Sequence, residues 1–139
     1  MGKVCKWFTQ ITAIMMTDDP VKNYQRGQWA EQLALDYLVR EKLKLLSCNY
    51  HGPSGEIDLI MQDNETIVFI EVRYRANNNY IHALETINGR KCARIIKTSK
   101  HYLQANRWTS KNSCRFDIIT ITGENDNPEI VWIKNAFQA

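Results

Sequence analysis

No stretch of this sequence approaches the roughly 20 consecutive apolar residues that a membrane-spanning helix needs, which argues against a helical span. The run Trp7 to Met16 follows Lys3 and Lys6, as the core of a signal peptide would. Thr9, Gln10 and Thr12 break it, however, and Thr17-Asp18-Asp19-Pro20 stands where a small-residue cleavage site would be needed. Residues 1–20 therefore read as a leader outside a single folded domain spanning 21–139, with no membrane partner and the cytoplasm as the default compartment. The sequence also lacks a Cys-x-x-Cys pair. Cys5, Cys48, Cys92 and Cys114 are isolated, as are His51, His82 and His101, so zinc-finger and dithiol chemistry have no spacing to rest on. Isolated cysteines read as small core residues of a reducing compartment. Nor is there a marked excess of one charge. With 18 Lys and Arg against 15 Asp and Glu, the net charge is +3, so the placement of the basic residues must decide whether nucleic acid is a partner.

What is present suits a globular domain: 44% hydrophobic and 24% charged residues, in a chain long enough for one core. Ala30, Leu33, Ala34, Tyr37 and Leu38 recur at helical spacing and predict a helix over about residues 23–43. Leu45 to Tyr50 reads as a strand and His51-Gly52-Pro53-Ser54-Gly55 as a loop. Glu56 to Met61 alternates by twos, and Thr66 to Arg75 contains the apolar run Ile67-Val68-Phe69-Ile70 of a central strand. The short polar link between them predicts an antiparallel hairpin. A second helix is expected over about residues 84–107, interrupted near Asn88-Gly89. Strands at Arg115–Thr122 and Glu129–Lys134 follow. The αβββαββ order indicates an α/β fold with a mixed five-stranded sheet flanked by helices.

Two residues are out of keeping with their strands. Asp58 and Glu71 are ionisable groups inside strongly apolar segments, where an unpaired carboxylate costs several kcal/mol. Alternation puts Glu56, Asp58 and Ile60 on one face, and Phe69, Glu71, Arg73 and Arg75 on another. A two-residue turn at Asn64-Glu65 would set Asp58 directly opposite Glu71, with Cβ atoms roughly 5 Å apart. Two like charges so placed need a cation. Mg²⁺ or Mn²⁺ would serve, since a hard divalent ion takes carboxylates and keeps positions for water and phosphate oxygens. Glu31, at the margin of the first helix's apolar stripe, is a third acid within reach. A structural cluster with Arg73, Arg75 or Arg115 as counter-ions explains the same charges, and spacing leaves the two readings level.

The second predicted helix carries Arg90, Arg94, Lys97 and His101 within about 40° of one another on a helical wheel, opposite a stripe of Cys92, Ile96, Ser99 and Leu103 with Ile95 and Tyr102 beside it. Such a strip of cations can track a phosphate backbone, and equally it can be a solvated face. Tyr74, Tyr80 and Trp108 are candidates to stack on unpaired bases, although aromatics more often fill cores and rims.

Gly27-x-x-x-Glu31, Gly55-Glu56-Ile57-Asp58-Leu59-Ile60, Phe69-Ile70-Glu71-Val72-Arg73-x-Arg75, Lys91 and Arg115-Phe116-Asp117 together resemble the YraN-like family of small bacterial proteins, over about residues 24 to 122. That family is similar to the PD-(D/E)xK nuclease-like superfamily, close in layout to archaeal Holliday-junction resolvases. The resemblance implies a restriction-endonuclease-like core, with Asp58 and Glu71 as metal ligands and Glu31 as the helix-borne acid. It places Arg73 where the superfamily carries Lys and makes Lys91 the best candidate for a phosphate contact; Arg75, one strand step beyond Arg73 on the carboxylate face, is the next, with Arg90, Arg94 and Lys97 of the cation strip behind them. The expected function is a Mg²⁺-dependent endonuclease acting on structured or branched nucleic acid, DNA before RNA; a two-fold dimer would suit a symmetric substrate. Arg73 is the departure. A guanidinium holds phosphate or water but, being always charged, cannot act as a general base. A catalytically silent nucleic-acid-binding or protein-interaction module is the alternative, and a purely salt-bridged structural protein the third.

Overall fold

The computed structural model describes residues 20–77, 85, 87–108, 112–124 and 126–139. Residues 1–19 of the leader expected over 1–20, with Tyr80 and His82, lie outside them. Helix α1 spans Pro20–Arg40, starting and ending three residues before the sequence pattern suggests. Its end has a physical cause. Lys42 turns left-handed at φ 73°, Lys42 N donates to Val39 O and Leu43 N to Leu38 O, the paired bonds of a Schellman cap. The apolar contact that completes this cap joins Leu43 to Leu38 inside the core.

Strands β1 (Lys44–Gly52), β2 (Gly55–Asp63) and β3 (Thr66–Arg75) follow, then α2 (Gly89–Ala105), β4 (Cys114–Thr122) and β5 (Glu129–Phe137). The expected element order therefore holds. The stretch expected to be a loop at 51–55 is mostly strand: β1 and β2 close on Pro53-Ser54 through Gly52↔Gly55. The interruption near Asn88 is the start of α2, where the Asn88 side chain accepts from Lys91 N. Residues 84 and 86 of the predicted helix lie outside the described residues.

The five strands lie side by side in the order β1-β2-β3-β4-β5. β3 is central, as its apolar run predicted, and pairs with β4 in parallel while the other neighbours are antiparallel. A parallel pair needs a crossover, which here contains α2. The two helices therefore cover opposite faces. On the α1 side Ala30, Ala34 and Leu38 pack on Leu59, Val68, Ile70, Ile119 and Ile121. On the α2 side Ile95 and Tyr102 pack on Ile57, Ile60, Ile67, Phe69 and Phe116. Each large side chain so enclosed stabilises the fold by roughly 1.5–3 kcal/mol.

Two details correct the sequence reading. The buried stripe of α2 centres on Ile95, Thr98, Ser99 and Tyr102, one position round from the stripe expected, and the enclosed Thr98 satisfies its hydroxyl on Arg94 O. Among the described cysteines, Cys114 is an exposed free thiol and Cys92 a half-buried one; Cys48 is disulfide-bonded. None matches the lone core thiol suggested by their isolation.

Candidate functional site

The turn at Asn64-Glu65 forms as predicted, with Asn64 at the positive φ of 53° that its position asks for. From Asp63↔Thr66 the β2–β3 ladder runs to Leu59↔Ile70 and stops there. Asp58 and Glu71 are the next pair in that register, but no backbone pair forms between them. Asp58 Oδ2 instead accepts from Val72 N at 2.8 Å, so the carboxylate occupies the place of a strand partner. The cause lies in β2. Ile57 packs in the α2-side core and Leu59 in the α1-side core, so strict alternation breaks at Asp58, and Ile60 does not share its side as period two would require. Across the β1–β2 pair, Asn49 is left-handed at φ 49°.

This break opens one end of the β2–β3 pair to both faces of the sheet. From α1, Glu31 reaches it, held by Asn49 Nδ2 at 3.1 Å. Oxygens of Glu31, Glu56 and Asp58 all lie within 4.8 Å of one another. Glu56 is the member that sequence reasoning passed over; its only signal was its place two residues before Asp58. His51 Nδ1 lies 3.3 Å from Glu56 Oε2, and a cleft of about 370 Å³ lined by Tyr24, Gln28, Glu31, Asn49 and His51 adjoins these acids.

Glu71 comes from the other face. Its side chain is 3% exposed, and Oε1 receives both Arg73 Nη2 at 3.0 Å and Lys91 Nζ at 3.1 Å. Lys91 therefore enters from α2, whose first turn the Asn88 cap orients. The second oxygen, Oε2, has no hydrogen-bond partner among the described residues, and neither does the buried Arg73 Nε. Burial, then the nearby charge of Glu71, raises the Asp58 carboxyl well above the usual carboxylate range, although the Val72 amide pulls the other way. Burial also raises Glu31, with Glu56 and Glu71 adding to it against the Asn49 bond. Three carboxylates thus crowd one another; Glu71 stands outside that group, acts on Asp58 and Glu31 through its charge, and has two cations engaged on one of its oxygens.

The remaining sequence candidates fall elsewhere. Arg75 Nη1 donates to Tyr74 O. Arg90, Arg94, Lys97 and His101 are exposed along α2, and His101 Nδ1 is 2.6 Å from Tyr50 Oη. Tyr74 packs edge-on to Trp29 with its hydroxyl on Gly123 O, and Trp108 borders the α2-side core; both are packing residues, the commoner role. Arg115 is not a counter-ion for Asp58 or Glu71. Its Nε and Nη2 bind Asp117 and Asp63 at 2.9 and 3.1 Å. Asp117, 0% exposed, also accepts from Trp132 Nε1 and Asn135 N, each at 2.9 Å, and so is fully committed to structure. No helix among the described residues is long and apolar enough to cross a membrane.

Comparison with known proteins follows the same residues. The model of the uncharacterised protein family UPF0102 matches residues 30–121, which hold Glu31, all four β2–β3 site residues and Lys91. A UPF0102 protein of Nitrosococcus oceani is 44% identical over 119 residues, covering 86% of this chain and 96% of its own. One from Coxiella burnetii is 47% identical over 109 residues, 78% of this chain and 88% of its own. One from Legionella pneumophila is 46% identical over 115 residues, 83% and 96% respectively. The chain belongs to the uncharacterised protein family UPF0102, the YraN-like family whose motifs its sequence carries.

Proposed function

We propose that this chain is a divalent-metal-dependent phosphodiesterase acting on structured or branched nucleic acid, DNA before RNA, on a restriction-endonuclease-like core of the PD-(D/E)xK kind. The observation that carries the reading is the carboxylate cluster: oxygens of Glu31, Glu56 and Asp58 lie within 4.8 Å of one another, beside the Glu71 carboxylate, which is only 3% exposed. A buried ionised group so placed is costly, and its charge is felt by Asp58 and Glu31. A hard cation offsets this crowding. The donors are all oxygens, the set that Mg²⁺ and Mn²⁺ take, so Asp58, Glu31 and Glu56 would hold the ion with Oε2 of Glu71. A bound ion would polarise a phosphodiester and acidify a water.

The chain's own residues divide the rest of the work. Arg73, permanently charged, holds a phosphate oxygen. Lys91 supplies the amine missing from β3, and its ammonium can pass a proton to the leaving oxygen where a guanidinium cannot. The exposed strip of Arg90, Arg94 and Lys97 runs on from Lys91 along α2 and would carry the backbone beyond the cut. A silent binding module is the second reading, favoured by the ion pairs that already neutralise Oε1 of Glu71. Junction, flap, duplex and single-stranded DNA, and RNA, incubated with Mg²⁺ or Mn²⁺ alongside Asp58→Asn and Glu71→Gln, separate them. Metal-dependent cutting lost in both variants supports the enzyme; salt-sensitive binding without cutting supports the module.

A further inference from the structure

Among the described residues, three buried side-chain atoms have no hydrogen-bond partner: Glu71 Oε2, Arg73 Nε and Thr120 Oγ1. They are not scattered. In the parallel β3–β4 register, Arg73 is the partner of Thr120 and Glu71 of Ile118. Thr120 alternates in step with Phe116, and Glu71 and Arg73 in step with Phe69. Phe69 and Phe116 stack on each other in the α2-side core, with centroids 5.5 Å apart. All three orphans therefore face the α2 side over two adjacent strands. Each buried polar atom left alone costs on the order of 1–3 kcal/mol, and native proteins hold few of them. Three on one small patch indicate a shared ligand.

Their chemistry selects it. An ionised carboxylate only accepts, a guanidinium Nε only donates, and a hydroxyl does either. An anion would be repelled by Glu71, and a metal ion would leave Arg73 Nε unanswered. Water both donates and accepts, and buried waters typically make about three bonds. Adjacent strands lie roughly 4.8 Å apart, a gap one water spans with two ordinary hydrogen bonds. We infer that Glu71 Oε2, Arg73 Nε and Thr120 Oγ1 bind one buried water, and that Thr120 acts through it as a positioning residue for the Glu71 carboxylate. The carboxylate oxygen keeps a second lone pair, so the water fixes its direction without occupying its metal-facing side. The positioning half of this inference rests on the proposed metal reading; the water itself does not.

Thr120→Val removes the hydroxyl while keeping the shape, and Thr120→Ser keeps the hydroxyl. Both would be compared with the native chain by thermal unfolding in EDTA and by Mn²⁺ titration followed by electron paramagnetic resonance. The expected result is that Thr120→Val lowers Tm by a few degrees and weakens Mn²⁺ binding about tenfold, the size of effect seen when the partner of a metal ligand is removed, while Thr120→Ser stays near native in both. A higher Tm for Thr120→Val overturns the water, because deleting a hydroxyl that bonds nothing should stabilise the core. Unchanged Mn²⁺ affinity in that variant overturns the positioning role. A native chain that binds no Mn²⁺ overturns the metal reading, and the positioning role with it, while the sign of the Tm change still decides the water.

Discussion

Lys91 Nζ stands 3.1 Å from Glu71 Oε1, so a helix delivers to the carboxylates the ammonium that β3 does not carry. Arg73 fills the strand position and reaches the same oxygen at 3.0 Å. The two cations are not equivalent. One is a rigid fork that never gives up its proton, and the other is a point charge that can.

That difference predicts how substitutions at residue 91 separate binding from turnover. If the chain cleaves nucleic acid as proposed, Lys91→Met should cut hydrolysis by roughly 10²–10⁴, the usual range for a proton-transfer group, without abolishing Mn²⁺ binding. Lys91→Arg should restore the affinity for nucleic acid but not the cutting rate. Single-turnover cleavage and a binding isotherm on the same substrate check this, and native-like cutting by Lys91→Arg would remove proton transfer from its role.

The Asp58 carboxyl, raised by burial and by Glu71, makes the metal-free protein sensitive to pH. A group whose folded pKa is above its unfolded one binds more protons in the folded state, so stability falls as pH rises through the window between the two. The chain in EDTA should therefore melt at a higher temperature near pH 5 than near pH 7.5. Asp58→Asn retains an acceptor for Val72 N and loses the charge, so it should flatten that slope and raise Tm at pH 7.5. Thermal melts across pH in chelator decide it; an unchanged slope in the Asn variant would locate the effect elsewhere.

Asp117 illustrates the opposite use of a buried carboxylate. With Arg115, Trp132 and Asn135 all donating to it, its charge is fully answered, and removing one side of such a pair costs about 3–5 kcal/mol. Arg115→Met should lower the denaturation midpoint sharply. A smaller loss should follow from Asp117→Asn, which keeps the shape and one acceptor. Native-like retention of any Mn²⁺ affinity is expected in the surviving folded protein, because Arg115 ties Asp117 to Asp63 at the turn end of β2, the opposite end from Asp58.

Arg90, Arg94 and Lys97 are exposed, so changing all three to Gln should leave the melting temperature within about a degree, as surface substitutions usually do. If the strip tracks a phosphate backbone, each lost contact should reduce the slope of log affinity against log salt by close to one. Fluorescence anisotropy at several salt concentrations measures this. An unchanged slope would make the strip a solvated face.

How far the sequence reaches follows from which contacts are local. Helical spacing marked α1 through Ala30, Ala34 and Leu38, and the apolar run of β3 marked the central strand, because burial repeats with the geometry of each element. The Asn64-Glu65 turn set the β2–β3 register, since a two-residue hairpin allows one pairing. The anomaly of Asp58 and Glu71 was legible because a charge in an apolar strand needs a partner somewhere. Spacing does not say where that partner comes from. The break in alternation at Asp58, the arrival of Lys91 from α2 and of Glu31 from α1, the addition of Glu56, and the capture of Arg115 by Asp117 all depend on how the β3–α2–β4 crossover and the two cores bring distant segments together. Within a strand, sequence assigns a side chain to a face. Only the packing of both helices on the sheet decides which charges meet across it.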